Sequence, residues 1–278
     1  MPRILPSWLE TVRRSVVIDP VRSDPRSQGD LLLGVPRDRV TREVLGRGGR
    51  PGQTDFTSPP PGLSTDDLAL FYGWFLQKGH LEELAEAFDQ LFAQSAIEDP
   101  VVVDLGCGPC TGGLALAAVM GSARPFTYVG IDSAPCMHRL GEKLAQAAIA
   151  RGGMADGPRW WSKSIERVSW SEPLGWRPVV VIVSYLLAST SLDAGDTITR
   201  TMALIERISW GPAVVVYTNA VDGHANRQFP AFRAALEAHN FSVVADDEGM
   251  LAVERQGYLN TKTLRYALFY RPKRMVLP

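Results

Sequence analysis

Four short apolar runs, at 101–105, 126–131, 178–187 and 213–218, constrain most strongly what this chain can fold into. They are rich in valine and too short for helices, so they read as parallel strands covered on both faces. Helical stretches lie between and after them, at 112–120, 137–150, 196–208 and 226–240. Pro230 is tolerable in the last of these only near its first turn. The pair "WW" at 160–161 marks a further short strand. "FSVVADDE" and "LRYALFYRP" follow as two strands with no helix pattern between them, which places an antiparallel pair at one edge. Alternation of strand and helix predicts a three-layer α/β domain.

Two segments precede that domain. Residues 1–62 hold ten arginines, no lysine and seven acids, and are rich in Pro, Gly and Ser. This composition predicts an extended, Arg-rich arm with at most short helices, among them "PSWLETVRR". The arm is either a solvated tail or a wrap over the domain surface, or else it covers a cofactor or grips an anionic substrate. Residues 63–97 predict a helical cap. Ser64 or Thr65 begins it, Asp66 and Asp67 suit the positive end of the helix dipole, and Gly79 is the expected break before a second amphipathic piece. The α/β domain then spans 98–278.

Bulk numbers exclude some classes. A formal net charge of −1 argues against a strongly basic nucleic-acid binder. Three cysteines in 278 residues make no disulfide framework and point to a reducing compartment. The first residues lack a secretory pattern, and no apolar run approaches the roughly 20 residues of a membrane span. The expectation is a soluble, cytoplasmic protein that does not engage a membrane.

The stretch "VVVDLGCGPCTGG", residues 101–113, carries two signals. CGPC has the spacing of a redox dithiol at a strand-to-helix junction, where a helix dipole lowers a thiol pKa. That chemistry gives no role to Asp104, Gly106 and Gly108. A glycine turn after a buried strand explains them better, because it lets a ligand approach the backbone and the free N–H groups of the next helix. Against the dinucleotide fingerprint G-x-G-x-x-G the third glycine, Gly112, falls one place late. Asp104, two residues before the first glycine, suits a cofactor with a positive ammonium group better than a pyrophosphate.

These residues resemble the first motif of class I S-adenosylmethionine-dependent methyltransferases, acid-x-Gly-x-Gly. "FTYVGID" ends in Asp132, 24 residues after Gly108, where that family carries a ribose-binding acid; "GIDSAPCMHRLGEKLAQ" continues like its second motif. The resemblance covers about residues 65 to 272. It implies a Rossmann-like seven-stranded, mostly parallel sheet with an antiparallel terminal strand and helices on both faces, and S-adenosyl-L-methionine as cofactor. It further implies that Asp104 holds the amino-acid part largely through water and that Gly106 and Gly108 admit the backbone contact. Asp132 would bind the ribose, and Ser133 and Ser162 would flank the adenine. Ser184 and Tyr185 fall at the family's fourth motif; no metal is implied.

The acceptor site should form at the ends of the fourth and fifth strands, "VIVSYLLAST" and "VVVYTNAVDGHANRQF". "SYLL" lacks the N/D-P-P-Y/F pattern of base-amine methylases, and no cysteine lies on either strand to act as a cytosine nucleophile. His224 is the candidate general base by type, oriented by Asp222 and Asn226; the other reading is a solvated loop histidine. Tyr185 either touches substrate or packs beneath the cofactor. Tyr72 and Trp74 either close the pocket as a lid or belong to the core. A small-molecule or protein acceptor fits the near-neutral charge, while the arginine-rich arm keeps an RNA acceptor open. A non-catalytic binding or assembly module of the same fold is the remaining alternative. Sequence leaves the oligomeric state open.

Overall fold

The computed structural model describes residues 5–46, 54–170, 173–189, 192–255 and 258–273, with the backbone alone for 253–255 and 258–260. Seven strands build the main sheet: β1 (Val101–Leu105), β2 (Thr127–Ile131), β3 (Arg159–Ser162), β4 (Val179–Ser184), β5 (Ala213–Ala220), β6 (Ser242–Arg255) and β7 (Tyr258–Arg271). Their order is β3-β2-β1-β4-β5-β7-β6. The first five are parallel, and β7 runs antiparallel to both β5 and β6. This is the expected Rossmann-like sheet with its antiparallel end.

Strand alternation divides the core into two layers. Val101, Val103, Leu105, Val181, Val183 and Val215 face helices α6 (Ala194–Ile208) and α7 (Phe229–Ala238). Val102, Val180, Ile182, Val214 and Val216 face the other way. There they meet α1 (Ser7–Arg13), α3 (Gln77–Gln94), α4 (Thr111–Met120) and α5 (Pro135–Ala150). Each fully buried side chain of this size contributes about 1.5–3 kcal/mol relative to exposure.

Two expectations are corrected. The helical cap breaks at Leu76, between α2 (Thr65–Phe75) and α3, and Gly79 continues within α3. The Ser64–Asp67 capping box starts α2 as the sequence suggests. The first segment is also not extended: it has the expected short helices and takes the form of a wrap over the domain surface. Among its described residues α1 runs through a wide turn at Arg14–Ile18 into a short helix, Asp19–Ser23. Val21, Leu32, Leu33, Val40, Val44 and Leu45 then bury against Leu68 and Phe71 of α2. Apolar residues scattered among the arginines and prolines suffice to fold this segment onto the cap. No helix among the described residues is long and apolar enough to cross a membrane.

Candidate functional site

The carboxyl ends of β1, β2, β4 and β5 open into a cleft, the place where open α/β sheets bind ligands. Two cavities of about 350 and 400 Å³ share Gly106, Asp132, Leu186 and Ser189. The first lies toward β5 and the helical cap, the second toward the ends of β2 and β3.

The turn between β1 and α4 makes the floor. Gly106 and Gly108 take left-handed φ values of 67° and 49°, which glycine adopts without steric cost. Backbone N–H groups of Gly106 and Cys107 both donate to the Ile131 carbonyl at 2.8 and 3.1 Å, tying the turn to β2. From above, the buried Gln77 side chain donates to the Pro109 carbonyl at 3.1 Å.

Asp132 follows β2 and lines both cavities. Its Oδ2 accepts from Gly108 N–H at 3.0 Å and its Oδ1 from Ala134 N–H at 2.9 Å. Burial raises its pKa, against these two hydrogen bonds. One amide on each oxygen fixes the carboxylate and leaves each oxygen a lone pair for a ligand hydroxyl. Ser133 is exposed and lines the second cavity.

Asp104 stands elsewhere. It is buried beneath the turn and absent from the lining of both cavities. Its Oδ2 accepts from Tyr128 Oη at 2.7 Å. A Cβ added at Gly112 would lie 2.5 Å from the same oxygen. Burial first, opposed by the Tyr128 hydrogen bond, pushes this carboxyl up to about 7. Asp104 thus braces β1 against β2 and α4. Gly112 is the third glycine of the loop, and its place is set by close packing against that carboxylate.

Ser162 also turns away from the cleft. Its hydroxyl donates to the Ser164 carbonyl at 2.8 Å, and Lys163, Ser164 and Ile165 line the second cavity instead. Ser184 ends β4 within the first cavity and accepts from Thr218 Oγ1 at 2.9 Å. Tyr185, left-handed at φ 58°, projects into the same cavity and accepts from Lys262 Nζ at 2.9 Å. Lys262 also pairs with Glu83, wholly buried on α3.

His224 sits exposed at the rim. Arg227 Nη1 lies 3.0 Å from its Nε2, and a guanidinium only donates, so that nitrogen is engaged as an acceptor. Asp222 accepts from the His224 backbone N–H, not from the ring. Asn226 is bound to Tyr217 and the Ala220 carbonyl. Neither orients the imidazole, which corrects the expected arrangement.

A second histidine enters the first cavity unannounced by any motif. His80, on α3, lies with its Nδ1 2.8 Å from Tyr72 Oη. Its ring stacks on Tyr185 at 4.2 Å between centroids and 25° between planes. The amphipathic pattern of α3 gives no reason to single it out; only the fold brings it over the β4 end. Tyr72 lines the cavity, whereas Trp74 stacks on Phe75 and beneath Arg22.

Both CGPC thiols are buried. Burial, with Asp104 next, raises Cys107 and pushes Cys110 up to about 12. That is the reverse of what a redox-active thiolate needs. Among the described residues no cluster of His, Cys, Asp and Glu could hold a metal.

No family model and no curated protein matches the sequence. Many of the solved structures that match are class I S-adenosylmethionine-dependent methyltransferases of the Rossmann-like fold. The N-methyltransferase NodS from Bradyrhizobium japonicum, in complex with S-adenosyl-L-homocysteine, is 14% identical. It matches over 69% of this chain and 87% of its own, with a TM-score of 0.44. A methyltransferase from Methanosarcina mazei is 14% identical over 66% of this chain and 98% of its own, TM-score 0.44. An arsenic(III) S-adenosylmethionine methyltransferase from Chlamydomonas reinhardtii is 12% identical over 70% and 73%, TM-score 0.41. Likeness at this level assigns neither activity nor substrate.

Proposed function

We infer that the chain transfers a methyl group from S-adenosyl-L-methionine to an acceptor. One observation carries the reading: the Asp132 carboxylate, held by an amide on each oxygen, faces the cleft beside the Gly106–Gly108 turn. The residues fit the cofactor. Asp132 can accept from both ribose hydroxyls. Lys163, Ser164 and Ile165, with Ser133 and Leu186, can enclose a base in the second cavity. The glycine turn admits the methionine end into the first cavity. When bound, the cofactor supplies an activated sulfonium methyl group.

The protein then has to orient the acceptor and keep water away. Ser184 and Tyr185 lie at the mouth of β4, with Phe56, Leu76 and Met137 as apolar walls. A cavity of about 350 Å³ that must admit both the methionine end and the acceptor favours a small molecule. Two arginines of the first segment are engaged within the protein, while Arg14, Arg22, Arg37, Arg39 and Arg42 are exposed. Arg13 is buried and donates to the Gly73 carbonyl, and Arg26 pairs bidentately with Asp67 at 2.9 and 3.0 Å. The test is calorimetric titration with S-adenosyl-L-homocysteine, followed by labelled-methyl transfer to RNA, protein and metabolite fractions. Label in the metabolite fraction supports the reading; failure to bind the nucleoside removes it.

A further inference from the structure

The first cavity holds a chain of polar groups that binding a cofactor does not call for. Tyr72 Oη and His80 Nδ1 share a hydrogen bond of 2.8 Å. A Cβ added at Gly108 would lie 3.6 Å from Tyr72 Oη, so the phenol oxygen hangs over the glycine turn. The buried Thr111 hydroxyl at the start of α4 lies beside it. His80 is fixed on its other side by the Tyr185 ring, which Lys262 anchors. Phe56 meets Tyr72 edge to face at 5.9 Å and 85°. Two neighbouring aromatic rings and apolar Leu76, Met137 and Leu186 therefore surround a hydrogen-bonded phenol–imidazole pair.

We propose that Tyr72 and His80 form a proton relay for the acceptor, and that the acceptor is a small planar molecule with a protic nucleophile of the phenol type. The proposal rests on the methyl-transfer reading above. As the acceptor oxygen's electron pair forms the O–CH3 bond, the C–S pair returns to sulfur and neutralises the sulfonium. The acceptor's proton passes to Tyr72 Oη while Tyr72's own proton passes to His80 Nδ1. Positive charge thus moves from the sulfonium to an imidazolium, and atoms and charge balance.

Tyr72 serves as relay and not as the base itself. Burial, and then the charges of Asp132, Asp104 and Glu83, raise its pKa and keep it a neutral phenol. In this direction Tyr72 donates to Nδ1, and His80 carries its own proton on Nε2. The apolar walls suit a ring, and the volume left beside the methionine end suits a single one. His224, engaged by Arg227 at the rim, is replaced in this role.

The test uses the whole chain with phenol and thiophenol as acceptors, at a pH where thiophenol is already a thiolate. General acid–base catalysis contributes about 10²–10⁴-fold. Tyr72→Phe and His80→Gln should therefore lower kcat for phenol by about 10²-fold or more, with a much smaller loss for thiophenol, which needs no base. S-adenosyl-L-homocysteine titrations on the same variants report whether the cofactor site survives. Equal losses for both acceptors, or wild-type protein that binds the nucleoside yet methylates neither, overturn the relay and its acceptor class. Wild-type protein that does not bind the nucleoside overturns the underlying reading instead.

Discussion

Asp104 and Asp132 are both acids at strand ends, and burial gives them different work. Asp104 on β1 alternates with Val103 and Leu105, so it faces the same layer as Val102 and meets Tyr128. Its pKa of about 7 lies above the value near 4 of an unfolded chain. Between those values the folded state binds the extra proton, so the stability that Asp104 contributes is fully present below the unfolded value and is lost as pH rises through that window. The difference amounts to about 4 kcal/mol at most. Asp104→Asn should flatten the fall in urea midpoint between pH 5 and pH 8, leaving a residual slope from Asp132, which burial also raises. A variant whose midpoints track the wild type across that range contradicts the assignment. At Gly112 the constraint is spatial: an added Cβ would approach Asp104 Oδ2 at 2.5 Å and Ile182 Cδ1 at 2.7 Å. Gly112→Ala should cost about 1–3 kcal/mol in chemical denaturation, and a neutral result would mean that α4 is free to shift away from β1.

Among the elements, the β6–β7 hairpin and the cap helix α3 are linked through an ion pair. Lys262 reaches from β7 to the buried Glu83 and to Tyr185 Oη. Removing one partner of such a pair leaves the other charge uncompensated, at about 3–5 kcal/mol when burial is complete. Lys262 is partly exposed, so the lower end applies. Lys262→Met should therefore destabilise the protein strongly, and adding Glu83→Gln should recover much of the loss in the same denaturation experiment. If the double variant is no more stable than the single one, the ion pair is not what holds α3 to the hairpin. None of this is legible in the linear sequence, because residues 83, 185 and 262 carry no shared motif. Strands β1, β2, β4 and β5 were legible because two-sided burial demands continuous valine. The break at Leu76 was not, since Gly79 is the stronger breaker by type and packing overrode it. Asp132 was readable from the glycine loop and its spacing. Ser162 was not, because a hydroxyl can turn back to its own backbone.

For the whole molecule, the sheet order brings one tethered carboxylate, one glycine turn and one cavity-lined cap to the same end of the fold. The first segment completes that arrangement by packing on α2, so the cap is held from outside by Val21, Leu33 and Val40. Methyl transfer needs no more of the scaffold than a bound nucleoside, an oriented acceptor and exclusion of water. Hydrogen bonds to a charged group are worth about 1.5–3 kcal/mol each, so losing both ribose contacts should weaken binding by about 10²-fold or more. The deciding measurement is calorimetric titration of wild type and Asp132→Ala with S-adenosyl-L-homocysteine, with circular dichroism to confirm that the variant stays folded. Saturable one-to-one binding to the wild type and loss of that binding in a folded variant are the expected results. Absence of binding to the wild type, or equal affinity in the two proteins, would contradict the methyl-transfer reading.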